Sequence, residues 1–207
     1  MALDTEEEQV EKIQNIWNSY KHLIIILIGV LLGAYFAYGY YADNKIKNSE
    51  QASQLYQEIL VEKILDINSI KTKVDLLKNI ARDTPYAARS AIYISKLYSQ
   101  EGSNEEAINE LIWAAENATE DSIQSLAYYH LANLFFITGK LDRAMESAKK
   151  INTIGFQTLA KDIIGDIYLK QGNKEEAKKS YLESLKLNKG QSEISKILQN
   201  KIDSIGQ

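Results

Sequence analysis

Residues 23–41 read LIIILIGVLLGAYFAYGYY, nineteen positions without a charge, set between Lys21 and His22 on one side and Asp43 on the other. At 1.5 Å per residue a helix of this length measures roughly 28 Å, the hydrocarbon thickness of a bilayer. Core helices of soluble proteins keep a polar stripe and rarely run so far without one. The run is therefore expected to be a transmembrane helix, and no second window resembles it, so the chain is read as single-pass. Trp17 and Tyr20 at one end, and Tyr35, Phe36, Tyr38, Tyr40 and Tyr41 at the other, suit the two interfacial belts. A cleavable secretory signal would need a basic leader and small residues at its cleavage site. The 22 preceding residues instead hold five carboxylates against two lysines, and the run ends in Tyr40, Tyr41 and Ala42. A retained anchor behind a short N-terminal tail, residues 1–22, is the expectation.

Three details of the anchor leave alternatives open. Gly29, Gly33 and Ala37 recur every four residues and align on one stripe, where a partner helix could come close; the same residue types are also common in any membrane helix. Lys12 and Lys21 before the span balance Lys45 and Lys47 after it, so positive charge does not decide orientation. In the tail, Val10, Ile13, Ile16 or Trp17, and Tyr20 have helical spacing, which suits either an amphipathic turn or two on the headgroups or an unstructured acidic tail.

Beyond residue 42 the composition is that of an ordinary solvated domain. The whole chain has 207 residues, 24 Lys and Arg, 28 Asp and Glu, and a net charge of −4, with no basic excess of the kind nucleic-acid binding requires. No nucleic acid is expected as a partner. The absence of cysteine removes disulfides and thiolate chemistry, and it leaves the compartment undetermined. Residues 43–85 read as a linker and a first helix pair. A polar stretch from Asp43 to Glu50 precedes Ala52, Leu55, Tyr56, Ile59, Leu60, Lys63 and Ile64; then Ile70, Val74, Leu77, Ile80 and Ala81 mark a second helix ending before Pro85. No segment alternates with the two-residue period of a strand.

Residues 86–207 carry an internal repeat. Gly-x-x-x-x-Ala occurs as Gly102 and Ala107, Gly139 and Ala144, and Gly172 and Ala177, at spacings of 37 and 33 residues. Upstream of the glycines, at fixed offset, stand Ser95 and Tyr98, Ala132 and Phe135, Gly165 and Tyr168; four positions after the alanines stand Leu111, Ala148 and Tyr181. The pattern resembles the tetratricopeptide repeat (TPR), in which a small residue sits at a close helix crossing, an aromatic follows, and a glycine turns the chain into a second helix. The front pair lacks these marks, and the repeat's closing proline is absent throughout. Ile194, Ile197, Leu198 and Ile202 define a further amphipathic helix suited to capping the open end of a solenoid. The expected fold is all-α, an N-terminal transmembrane helix followed by a TPR-like helical solenoid.

The residues offer little for catalysis. His22 and His130 are the only histidines, and nucleophile–base chemistry built on cysteine is excluded. Asp162 and Asp166 have ligand spacing but no third partner in the sequence, and Glu105, Glu106, Glu175 and Glu176 open second helices, where negative charge complements the helix dipole. No catalytic residue, cofactor or metal is assigned, and a non-enzymatic binding role is expected. Stacked helix pairs expose a concave groove lined by first helices. The repeat register turns Arg89, Ile92 and Lys96, then Tyr129, Asn133 and Phe136, then Asp162 and Asp166 toward it, a mixture suited to an extended or helical peptide. Packing of Ile92, Tyr129 or Phe136 against the front or capping helix, which would fill the groove, is equally compatible with the pattern.

The acidic tail, the glycine-bearing span ending in aromatics, the Ala52, Ser53, Gln54, Leu55, Tyr56 helix, the degenerate repeats and the closing Ile194 to Leu198 helix together resemble the YfgM-like ancillary subunits of the bacterial Sec translocon. The resemblance covers nearly the whole chain in layout. It implies an inner-membrane protein with its N-terminus in the cytoplasm and its repeats in the periplasm. The implied partners are Sec channel subunits, a membrane-anchored periplasmic peptidyl-prolyl isomerase and secreted client chains passed on to chaperones, with membrane lipid around the anchor. A membrane-anchored TPR scaffold for another membrane complex is the alternative.

Overall fold

The computed structural model describes residues 6–61, 66–188 and 193–205. Those residues are helical with short connections, and no strand occurs among them. The first helix, α1, runs from Glu6 to Val61. It contains the one helix window among the described residues that is long and apolar enough to cross a membrane, and none of that window is buried. The tail from Glu6 onward is thus helical, while residues 1–5 lie outside the described set. The polar stretch from Asp43 to Glu50, read as a linker, is helical too, and it contains neither glycine nor proline to break the helix. Lys63 and Ile64, expected in the same helix, lie outside the described residues.

Residues 1–48 and 49–207 form two separate compact units. In the first, the large apolar side chains of the 23–41 run are exposed apart from the half-buried Ile24, with Ile25, Leu31 and Tyr38 each more than half exposed. In the second, the last turns of α1 are followed by α2 (Ile67–Ile80), α3 (Pro85–Gln100), α4 (Asn104–Asn117), α5 (Asp121–Ile137), α6 (Leu141–Lys149), a 3-10 turn (Ile154–Phe156), α7 (Gln157–Lys170), α8 (Lys174–Leu187) and α9 (Glu193–Ile205). Helices α3 and α4, α5 and α6, and α7 and α8 form three hairpins. Second helices pack on the next first helix, and α3 also touches α5, as α5 touches α7. All-α stacking of helix pairs is thus the observed architecture.

The three repeat glycines are the reason the hairpins close. Gly102, Gly139 and Gly172 have φ of 82°, 77° and 82°, and they are the residues with positive φ among those described. Each is the left-handed residue of a Schellman motif. The next amide donates back to the carbonyl of the repeat aromatic, Ser103 to Tyr98 at 2.9 Å, Lys140 to Phe135 at 2.8 Å and Asn173 to Tyr168 at 2.9 Å. The repeat alanines Ala107, Ala144 and Ala177 are fully buried and donate the first intrahelical bond of the second helices, to Ser103, Lys140 and Asn173 respectively. At Gly165 the crossing is so close that a Cβ would lie 2.4 Å from the Tyr181 ring.

Three clusters make up the core. The front one joins Ala52 and Ile59 of α1 to Ile70, Val74 and Leu77 of α2 and to Ala87, Ile94 and Leu97 of α3. Of the residues expected inward there, Leu55 and Tyr56 are half-buried, while Leu60 and Ile80 are exposed at the ends of their helices. The central cluster runs from Ala88 of α3 through Phe135 of α5 to Ile167 of α7. The last joins Ala177 and Tyr181 to Leu198, Ile202 and Ile205 of α9, so that α9 covers the end of the stack; Ile194 and Ile197, expected on the same face, are exposed at its start. The helical period continues into the first turn of α9, where the described contact is polar, Asn188 donating to the Ser195 hydroxyl at 3.1 Å.

Candidate protein-binding groove

The first helices α3 and α5 diverge enough to leave a cavity of about 560 Å³ between them, within the size range of small-ligand and peptide side-chain pockets. Leu111 of α4, Leu134 of α5 and Ser95 of α3 are buried at its floor, and Ile92, Ile123 and Leu126 form apolar walls. Tyr56 from the end of α1 and Tyr93 of α3 close one side, and Ile137, more than two-thirds exposed, closes the other. Polar groups stand around this surface: Arg89, Lys96, Ser99 and Gln100 on α3, His130 and Asn133 on α5.

Several polar groups of the lining are already engaged within the protein. Arg89 donates through Nη2 to Glu120 at 2.9 Å, so its charge is partly spent on the start of α5. Asn133 donates its amide to the Tyr129 carbonyl at 2.8 Å, which leaves its side-chain oxygen as an acceptor. Ser95 donates to the Ile92 carbonyl at 2.7 Å. Partial desolvation of the His130 ring, and then the charge of Lys96, push its pKa below the usual 6.5.

Of the eight groove residues read from the repeat register, Arg89, Ile92, Lys96 and Asn133 line this cavity. Tyr129 and Phe136 do not. Phe136 packs on the central core, and the Tyr129 ring lies beside that of His130, with centroids 5.8 Å apart. The cavity instead uses Tyr93, Lys96 and Gln100 on α3 and the equivalent His130, Asn133 and Ile137 on α5, thirty-seven residues on. On α3 all three expected residues line the cavity, whereas on α5 the lining face lies one residue round the helix from the expected one, at the positions 37 residues beyond Tyr93 and Gln100. Tyr56, contributed from outside the repeats, carries no such signal.

Asp162 and Asp166 are engaged elsewhere. Lys201 of α9 donates to Asp162 at 2.7 Å and to both oxygens of Asp166 at 2.7 and 2.9 Å, and Tyr181 donates its hydroxyl to Asp166 at 2.6 Å. The lysine also stands 5.3 Å from the centroid of the Tyr181 ring. Burial opposes the Lys201 charge, but the two carboxylates outweigh it and raise its pKa; at Asp162 burial outweighs the one shared cation, and the pKa rises. Both shifts describe one cation divided between two carboxylates. This third-repeat segment is covered by the protein's own capping helix. The span glycines Gly29 and Gly33 have nothing within 4 Å of an added Cβ, and Ala37 is likewise exposed. No group of three or more metal-ligating side chains occurs among the described residues.

Curated relatives fit this architecture. The chain is 28% identical over 182 residues to an ancillary SecYEG translocon subunit of Aggregatibacter actinomycetemcomitans, covering 87% of this chain and 89% of that one. A protein of the same name from Neisseria gonorrhoeae is 25% identical over 210 residues, covering 99% and 100%. Among solved structures, a Podosopora anserina protein described as a kinesin light chain with nearly identical TPR-like repeats superposes with a TM-score of 0.56 at 13% identity, over 77% of this chain and 83% of that one. That last likeness concerns the fold alone. The three glycine turns, the buried alanines and the stacked pairs agree with the family described as a tetratricopeptide repeat-like domain, which matches residues 14–207, and the chain belongs to that family.

Proposed function

We propose that the protein is a membrane-anchored, non-enzymatic ancillary subunit of the Sec translocon whose repeat domain captures proteins in the cavity between α3 and α5. The anchor is the 23–41 segment of α1, with the N-terminus in the cytoplasm of a bacterial inner membrane and the repeats in the periplasm. The observation that carries the reading is a solvent-accessible apolar cavity, built from two first helices of the solenoid, in a chain whose relatives bear the translocon name. Working beside the channel, the protein would meet secreted chains as they emerge and help pass them to periplasmic chaperones, in company with a membrane-anchored peptidyl-prolyl isomerase. Tethering supports this use of an open, shallow site: an anchor beside an exit raises local concentration to roughly the millimolar range, so a weak binder is occupied without tight contacts.

A photo-crosslinking side chain placed at Ile92 or Ile123 in the full-length protein, in membranes exporting a secreted chain, tests this reading. Crosslinks to the emerging chain or to translocon-associated proteins are expected from these two positions and not from Lys178 on α8. Adducts from Lys178 alone, with none from the cavity, would sink the groove assignment. Co-purification with a different membrane complex and no Sec subunit would favour the scaffold alternative.

A further inference from the structure

The link between α6 and α7 differs from the other links between helix pairs. The α2–α3 link is residues 81–84 and the α4–α5 link is residues 118–120, and their exposed side chains are Arg82, Asp83 and Thr119. The α6–α7 link runs from 150 to 156 and carries Ile154 at its 3-10 turn, 91% exposed. No other large apolar side chain among the described residues is so exposed; within the 23–41 run the highest value is 74%, at Tyr38. Single apolar residues scattered over a surface need no explanation. This one is held out by a built turn. The hydroxyls of Thr153 and of the buried Ser125 lie 2.8 Å apart, Thr153 donates its hydroxyl to the Asp121 carbonyl at 3.0 Å, and Gln157 donates its side-chain amide to the Ile151 carbonyl at 3.1 Å. The Phe156 amide closes the turn on the Thr153 carbonyl at 2.9 Å.

The turn also lies on a particular edge of the second unit. Short links make successive helices antiparallel, so α1, α3, α5 and α7 run in one sense. Their beginnings stand side by side: the Tyr56 ring is 5.8 Å from that of Tyr86, Arg89 reaches Glu120, and Thr153 reaches Asp121. Residue 49, where the chain enters this unit, belongs to the same edge, and it stands eight residues beyond the end of the apolar run. Even fully extended, eight residues reach at most about 28 Å. A bilayer holding the run is therefore always within reach of this edge, at the high effective concentration that a tether provides.

We propose that the Ile154 turn dips into the interfacial layer of the phospholipid bilayer and so gives the repeat unit a second membrane contact. One protruding side chain is too small to build a protein–protein interface, whereas a lipid interface accepts an isolated apolar tip. Lys149 and Lys150, at the foot of the turn, can keep their charges at headgroup level while the tip enters. Glu146 pairs with Lys150 at 2.8 Å, so the apolar tip and not the lysines supplies the main attraction. The inference rests on the anchor reading of α1 and is independent of the groove.

The test uses the full-length protein reconstituted into vesicles of phosphatidylethanolamine and phosphatidylglycerol. Because the chain has no cysteine, Gly155→Cys carries one fluorescent label beside Ile154, at a position where an added Cβ meets nothing within 4 Å. Thr119→Cys, on the neighbouring link of the same edge, and Lys178→Cys, on α8, serve as references. Lipids with a nitroxide near the top of the acyl chain are expected to lower the emission at 155 about twofold or more, with little effect at the references, since interfacial insertion reaches roughly 5–10 Å. Ile154→Glu in the Gly155→Cys background should abolish the quenching, and Ile154→Leu should retain it. The exposure of position 154 protects folding in both, which an unchanged thermal midpoint checks.

Quenching that survives Ile154→Glu would overturn the assignment to this tip. Equal quenching at 119 and 155 would reduce the effect to nearness of the edge and overturn insertion. Absence of quenching at 155, in vesicles that retain the protein through an alkaline carbonate wash, would overturn the inference and leave the anchor standing. If a crosslinker at 155 then captured a protein in native membranes, the tip would belong to a protein contact instead. Release of the protein by carbonate would remove the anchor reading and this inference together.

Discussion

Gly165 shows how much one methyl group decides in a stack of helix pairs. Interiors are packed to crystalline density, so a Cβ placed 2.4 Å from a ring carbon forces either the helices or the ring to move. The ring is that of Tyr181, fully buried and tied by its hydroxyl to Asp166, so it has little freedom to yield. Gly165→Ala is expected to destabilise the repeat unit by about 1–3 kcal/mol, the usual cost of overpacking. This should appear as a lowered thermal midpoint of the full chain in detergent micelles, with Gly155→Ala, where nothing lies within 4 Å, as the control. At this scale the sequence was highly legible. The offsets that marked Gly165, Ala132 and Ser95 as crossing residues and Gly102, Gly139 and Gly172 as turns correspond to buried small side chains and to positive φ. These positions are readable because each has a single steric requirement that few residue types meet. Tyr93 and His130 have no such requirement, since a cavity wall accepts many side chains, and on α5 the register pointed to Tyr129 and Phe136 where His130 and Ile137 line the cavity.

At the scale of the element, the capping helix α9 is held by two different means. Leu198, Ile202 and Ile205 bury an apolar stripe against Ala177 and Tyr181, a periodic pattern that the sequence displays openly. Lys201 adds the link to α7, reaching Asp162 and Asp166 more than thirty residues away in the chain, and no local pattern announces a contact of that separation. The pair at 162 and 166 therefore read as a groove-facing pair, whereas it serves as the counter-charge of the cap. Removing the cation leaves two partly buried carboxylates one helical turn apart with only the Tyr181 hydroxyl between them. Lys201→Ala is expected to cost about 1–3 kcal/mol, between the values for exposed and fully buried pairs. The loss should be local: amide exchange in α9 should quicken about tenfold or more, while α3 to α5 keep their protection. Lys201→Met, which retains the apolar stem over the tyrosine ring but not the charge, should loosen α9 less than Lys201→Ala does. Uniform quickening across all the repeats would instead show that α9 and the stack unfold as one unit.

For the whole molecule, the unresolved quantity in the sequence is a sign, not a structure. A helix that can span a bilayer and a stack of repeats that can bind protein are compatible with either orientation, because two lysines flank the span on each side. The proposed role needs the repeats in the periplasm, since a secreted chain becomes available to a groove only after leaving the channel. The absence of cysteine makes the question direct. Glu101, exposed at the end of α3 and bonded only through its backbone, can be replaced without disturbing the turn at Gly102, so Glu101→Cys provides a single thiol on the repeat unit. In cells whose outer membrane has been permeabilised, a maleimide that cannot cross the inner membrane is expected to label this thiol fully, and lysis of the inner membrane should add no further labelling. A second thiol at Gln9→Cys, on the other side of the span, should show the reverse, protected in permeabilised cells and labelled after lysis. Protection of position 101 until lysis would place the repeats in the cytoplasm. The α3–α5 cavity would then face chains that have not yet entered the channel, handoff to periplasmic chaperones would be impossible, and assembly of a membrane complex from the cytoplasmic side would become the reading to pursue.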